Sequence, residues 1–162
     1  MTQKNSSRNS RQNSELGFTI VELLIVIVVI GILAALVITT FSGIQQKARD
    51  TQRITDIKAI HSSIEAFYSG ATAGSTAYYP TLAEINDATW RSTNLKGLDS
   101  EALLDPKGSS STLATTPSST EMGYAPLSDS NTVCDNTTTM CTKYTLTANL
   151  ESGGNFQKTQ LN

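Results

Sequence analysis

The chain has 162 residues, 38% of them hydrophobic and 16% charged, with a formal net charge of −2 and two cysteines. This length suits one domain with appendages, and the weak acidity lacks the basic patch or stripe that marks nucleic-acid-binding domains. There is no nucleophile elbow, no phosphate-cradling glycine loop and no D-x-[DN]-x-[DN]-G calcium loop. Neither a cofactor nor a metal is expected, and the chain does not read as an enzyme.

Residues 1–17 are polar and rich in Asn, Gln and Ser. Lys4, Arg8 and Arg11 stand against Glu15, so the segment carries a net +2 and the remainder −4. Without a periodic apolar pattern, it reads as a disordered leader. From Phe18 the chain turns apolar, and as far as Gln46 the only ionisable side chain is Glu22. Phe18 to Ile44 would make roughly 40 Å of α-helix, against a bilayer core of about 30 Å. The basic leader places the N-terminus in the cytoplasm. A secretory signal peptide would have a shorter apolar region with its small-residue cleavage site after it, whereas Gly17-Phe18 lies before the run. An uncleaved signal anchor is the other rival.

From Gln45 to Ser69 there is neither Pro nor Gly, and Lys47, Arg49, Asp50, Arg53, Asp56 and Lys58 restore charge. Ile54, Ile57, Ile60, Ile64 and Phe67 recur at steps of three or four, which predicts an amphipathic continuation stopped at Gly70. Ala71 to Ala77 reads as loop. Thr81-Leu82-Ala83-Glu84 has capping-box form and predicts a short helix from about Leu82 to Asp87. Another turn is expected over Ser100 to Leu104, ahead of Pro106. The Ser/Thr-rich stretch from Lys107 to Thr120 reads as a surface loop, and Gly123 to Leu127 as a short strand. The clearest strand is Thr142 to Leu150, where Tyr144, Leu146, Ala148 and Leu150 alternate with polar residues. Gly153-Gly154 is a turn, and Asn155 to Asn162 is an edge strand or a frayed tail. Cys134 and Cys141 fit neither a redox pair nor a zinc knuckle. Behind an export signal the simplest reading is one disulfide closing a short loop, with two free thiols as the alternative.

At Gly17-Phe18-Thr19-Ile20-Val21-Glu22, and on from Leu23 through Ala35, the sequence resembles the processing site and assembly helix of type IV pilins and of the related type II secretion pseudopilins. The resemblance covers roughly residues 15 to 40. It implies that a prepilin peptidase cuts after Gly17 and methylates the new amine of Phe18. It also implies that Glu22 meets the amine of a neighbouring subunit during assembly. The subunit would sit as a single-pass protein in the cytoplasmic membrane. An assembly platform with its ATPase would then draw it into a homo-oligomeric helical filament at the cell surface. Many members have a proline where Thr39 and Thr40 stand here, which puts a proline-linked kink in doubt.

The residues also have plainer readings. Gly17 alone is an ordinary helix-preceding glycine, and the plainer reading of Glu22 is a carboxylate snorkelling at a bilayer edge. His61, the single histidine, reads as solvent-facing, and Asn136-Thr137-Thr138 as a chance match to a glycosylation sequon. The expected fold is α+β: a long N-terminal helix packed against a small antiparallel sheet. Its segments are leader 1–17, membrane and assembly helix 18–44, amphipathic continuation 45–69 and head 70–162. The expected function is that of a type IV pilus subunit, with a secretion pseudopilin and a membrane-anchored binding domain that never polymerises as the alternatives.

Overall fold

The computed structural model describes residues 17–71 and 77–161, with the backbone alone at 38–40. Most of the leader, the centre of the 71–77 loop and the side chains of Thr39 and Thr40 therefore lie outside the described residues. Helix α1 runs Ile20–Ser69 over 50 residues, and Gly70 N–H closes it on Ala66 O at 2.9 Å. The chain divides into two compact units, Met1–Phe41 and Ser42–Asn162.

In the first unit, the large apolar side chains from Ile20 to Val37 are all exposed, between 48% and 85%. In the second unit, α1 forms the spine of a hydrophobic core. Ile57, Ile60 and Ile64 are fully buried against Tyr79, Ile85, Leu103, Met122, Tyr124, Tyr144 and Leu146. The expected stripe is thus present, with Ile54 and Phe67 half-buried at its margin. Its buried face is wider than the apolar spacing indicates, because Asp50, Arg53, His61 and Glu65 are buried on it as well.

The capping box forms as the sequence predicts. Thr81 Oγ1 accepts from Glu84 N at 3.2 Å, and Glu84 Oε2 accepts from Thr81 N at 2.7 Å. Helix α2 spans Leu82–Asn86, one residue shorter than expected, because Asp87 is extended and caps a further helix, α3 (Ala88–Asn94). The sequence reading missed α3, although Asp87 accepting from Trp90 N at 2.8 Å is an ordinary N-cap. A 3₁₀ turn covers Ser100–Leu103, with Leu104 as its cap.

Strands β1 (Gly123–Leu127), β2 (Lys143–Asn149) and β3 (Asn155–Thr159) form an antiparallel sheet in the order β1-β2-β3. Tyr124 faces Leu146, and Ala148 faces Phe156. β2 is shorter than expected at both ends, and Leu150 belongs to the turn, where its N–H donates to Gly154 O at 3.0 Å. Gly153 and Gly154 adopt φ of 100° and 80° there, a conformation that favours glycine. The final segment is an edge strand.

One charged cluster joins these pieces. Arg53 is 1% exposed, and its guanidinium donates to Asp105 Oδ2 and Oδ1 at 2.7 and 2.9 Å. Its Nη1 donates to Asp50 Oδ1 at 3.2 Å and to Glu151 Oε1 at 3.1 Å. Asp50 also accepts the N–H groups of Glu151 and Ser152 at 2.8 and 2.9 Å. Arg49 and Lys107 complete the surroundings of Glu151. Arg49 first, then Lys107 and Arg53, hold the Glu151 carboxyl well below its ordinary range against partial burial. Burial opposes the ionisation of Asp50, but hydrogen bonds from Ser152, Glu151 and Arg53 keep it below its ordinary value. Asp56 is the counter-case: burial, with Asp105 and Asp99 nearby, pushes it up to about 6. Among the described residues its Oδ2 is the one buried side-chain oxygen or nitrogen without a hydrogen-bond partner.

Removing one member of a buried ion pair costs about 3–5 kcal/mol, so Arg53→Met is expected to destabilise the head by that order. Urea unfolding of the detergent-solubilised chain, followed by Trp90 fluorescence, measures it; a shift below 1 kcal/mol would show that the cluster holds nothing together. The pH profile has two limbs. Asp50 and Glu151, with lowered folded values, contribute stability that is fully present above about pH 4.5 and lost as pH falls below it. Asp56, with a raised folded value, costs stability as pH rises from about 4 to beyond 6. Asp56→Asn is therefore expected to raise Tm at pH 7.5 and to leave it nearly unchanged at pH 4, and an equal shift at both would refute the assignment.

Candidate functional site

Gly17, Phe18 and Thr19 precede α1 outside the helix, and Phe18 is 89% exposed. Thr19 and Glu22 form a second, reciprocal box. Glu22 Oε2 accepts from Thr19 N and Thr19 Oγ1, both at 2.8 Å, while Glu22 N donates to Thr19 Oγ1 at 3.2 Å. The first ladder bond follows, from Leu23 N to Thr19 O at 3.2 Å. Within the chain the partner of Glu22 is Thr19. The S/T-x-x-E spacing that identified Thr81 is present here too and was overlooked. A carboxylate in the first helical turn is also favoured by the dipole of α1.

From Leu23 to Val37 the helix carries no polar side chain. Its most apolar stretch has a mean hydropathy of 3.2 and is 0% buried, and among the described residues α1 is the one helix long and apolar enough to cross a membrane. Ile25, Val26, Ile27, Val28, Val29 and Ile30 are β-branched and only fair helix formers in water. A medium that cannot satisfy backbone groups favours the helix for them.

The cysteines lie in the second unit, joined as a disulfide between Cys134 and Cys141. Inside the loop Asp135 Oδ1 accepts the N–H groups of Thr137, Thr138 and Thr139 at 2.9, 2.8 and 3.0 Å. The bond to Thr139 leads in holding its carboxyl well below the ordinary range. Asn136, at φ 56°, donates to Tyr79 O at 2.9 Å and accepts from Cys141 N at 2.8 Å. The amide of the sequon is thus committed to the fold. His61 corrects an expectation. It is 8% exposed rather than solvent-facing, and its Nε2 donates to Thr159 O at 3.0 Å, because β3 closes over it.

Gly17, the exposed Phe18, the boxed Glu22 and the exposed apolar residues from Ile20 to Val37 thus stand together at the start of the chain's described part. A family model described as the prokaryotic N-terminal methylation motif matches residues 12–38. The type IV major pilin protein PilA of Myxococcus xanthus is 40% identical over 53 residues, 33% of this chain and 24% of that protein. The type II secretion system core protein G of Klebsiella michiganensis is 39% identical over 57 residues, 35% of this chain and 40% of that protein. Its Escherichia coli counterpart is 37% identical over 51 residues, 32% of this chain and 35% of that protein. The chain thus spans less than half the length of these curated relatives. No solved structure matches it.

Opening the disulfide by Cys134→Ser with Cys141→Ser is expected to cost about 2–3 kcal/mol, measured by urea unfolding through Trp90. An unchanged midpoint would mean that Asn136 and Asp135 hold the loop unaided.

Proposed function

We propose that this chain is a structural subunit of a type IV pilus, made as a precursor and polymerised into a surface filament. The observation that carries the proposal is the helix from Ile20 to Val37, apolar throughout except for Glu22, with its large apolar side chains 48–85% exposed among the described residues. In this reading leader 1–17 is removed by a prepilin peptidase and Phe18 becomes the N-methylated first residue. Residues 18–44 hold the subunit in the cytoplasmic membrane and then bundle with copies of themselves. The continuation 45–69 carries the head, residues 70–162, to the filament surface, where adhesion, twitching motility or DNA uptake takes place. Glu22 meets the amine of a neighbouring Phe18, and an assembly platform with its ATPase drives insertion. The role is structural rather than enzymatic and uses no cofactor.

The likeness to type II secretion core protein G favours a second reading, a pseudopilin of a secretion machine. The two share every step up to polymerisation and differ in where the filament ends. Filaments sheared from the cell surface and analysed by intact-mass spectrometry test the first. The expected mass starts at Phe18 with one added methyl and is two hydrogens below the reduced value. Glu22→Ala is expected to abolish the filaments while the head stays folded. Processed protein that never leaves the envelope, with secretion lost on its deletion, would replace the pilus by the pseudopilus. A chain still starting at Met1 would sink both.

A further inference from the structure

A cleft of about 640 Å³ opens in the head where α1 and α3 end. It is lined by Ser62, Ser63 and Phe67 of α1, by Asn94 and Lys96 at and just beyond the end of α3, and by Tyr78. All of these belong to the second unit, so the cleft stands apart from the helix that the filament reading uses. Its volume falls in the range of small-ligand pockets, about 300–1,000 Å³. Phe67 packs edge-on with Tyr78 and Trp90, ring centroids 5.6 and 5.2 Å apart, and this aromatic row is the apolar part of the site. Polar groups that the fold does not spend stand around it. Among the described residues the hydroxyls of Ser62 and Ser63, the phenol of Tyr78 and the ammonium of Lys96 make no hydrogen bond, and Asn94 commits only its Nδ2, to Trp90 O at 2.9 Å. Elsewhere in the head such groups are tied into the fold, as Asn86, Asn136 and Tyr144 are. Burial first, then Glu84, push the Tyr78 phenol above its ordinary value, so it stays a donor. Glu84 itself is engaged by Thr81 and Asn136.

The charges at the cleft select against ions. Lys96 is the one charged residue in its lining and disfavours a cation. The last turns of two helices also border it, and their carbonyl ends carry partial negative charge, which disfavours an anion. A ligand that fits must donate and accept hydrogen bonds, carry no net charge and offer an apolar face to aromatic rings. A sugar ring meets all three demands, with hydroxyls on its rim and C–H groups on its faces. We infer that this cleft binds a neutral saccharide of about disaccharide size, its apolar face against the Phe67 row and its hydroxyls on Ser62, Ser63, Tyr78, Asn94 and Lys96.

The test titrates maltose, cellobiose, lactose and chitobiose into the full chain, held in micelles of a detergent without a sugar headgroup. Trp90, the single tryptophan and a neighbour of Phe67, reports binding by its fluorescence, and saturation-transfer NMR shows which sugar protons touch the protein. At least one of the four is expected to bind with a Kd on the order of 1 mM, and glucuronate and choline are expected to give no signal. Ser62→Tyr fills the cleft from an exposed helix position and is expected to remove binding. Ser63→Ala is expected to weaken it about fivefold, the loss of one hydrogen bond, and Lys96→Gln by less than that. The urea midpoint of each variant is expected to match wild type. If none of the four sugars moves Trp90, the inference is overturned. Binding that survives both Ser62→Tyr and Ser63→Ala places the sugar elsewhere and overturns it as well. Tighter binding of glucuronate, lost in Lys96→Gln, overturns the neutral ligand in favour of an acidic one. None of these outcomes depends on whether the chain is processed or polymerises.

Discussion

The second unit depends on a charge that cannot be given up. A guanidinium stays ionised in any protein environment, so burying Arg53 to 1% exposure requires carboxylates at fixed places around it. Asp105 takes the fork, Asp50 lies one helical turn back on α1, and Glu151 comes from the turn between β2 and β3. Three separate parts of the chain are brought to one point. Buried ion pairs add little net stability over well-packed apolar groups; their effect here is on register. Rotating α1 by one residue would carry Arg53 about 100° away from Asp105, and would carry Ile57, Ile60 and Ile64 out of the core with it.

That register explains the polar margins of the core. With the isoleucines facing the sheet, Glu65 comes under Tyr144, whose hydroxyl donates to it at 2.6 Å, and under Tyr79 at 3.3 Å. Leu161 N–H reaches the same carboxylate at 3.3 Å, and His61 takes Thr159 O. The edge strand is therefore held at its far end by α1 side chains as well as by its ladder with β2. A small domain buries a modest share of its surface, and this head adds buried polar ties and a disulfide to its apolar core.

What was legible in the sequence follows from the range of the signals. The membrane-length run, the isoleucine stripe, the Thr81 box, the β2 alternation and the glycine turn depend on residues within a few positions of one another. All were read before the fold was known. The miss at α3 was local as well, since its cap, Asp87, stands immediately before it. The missed box at Thr19 came from reading Glu22 as an intruder in an apolar run rather than as the N3 residue of a helix start. The Arg53 cluster and the burial of His61 were beyond reach for a different reason. Their partners lie 52 and 98 residues away, and nothing in the spacing of charges along α1 distinguishes Arg53 from an exposed arginine.

The first unit poses a separate constraint, because so long an exposed apolar helix is costly in water. Two solvents would suit it, and they select different residues. Lipid accepts bulky apolar side chains and has no use for a glycine, which costs about 1 kcal/mol against alanine inside a helix. Neighbouring helices favour small residues that let backbones approach. The run from Leu23 to Ile30 answers to lipid. Gly31, followed by Ala34 and Ala35, does not: a Cβ at Gly31 would meet nothing within 4 Å among the described residues, so no contact among them accounts for the missing side chain. A glycine beside a membrane-length apolar run suits both solvents, the bilayer and a closely approaching helix. The single carboxylate at its start fits the same passage. Under the proposed pilus reading, Thr19 would serve it while the subunit is alone, and a bond to a residue three positions away is short and local enough to be exchanged for a charged partner from another copy.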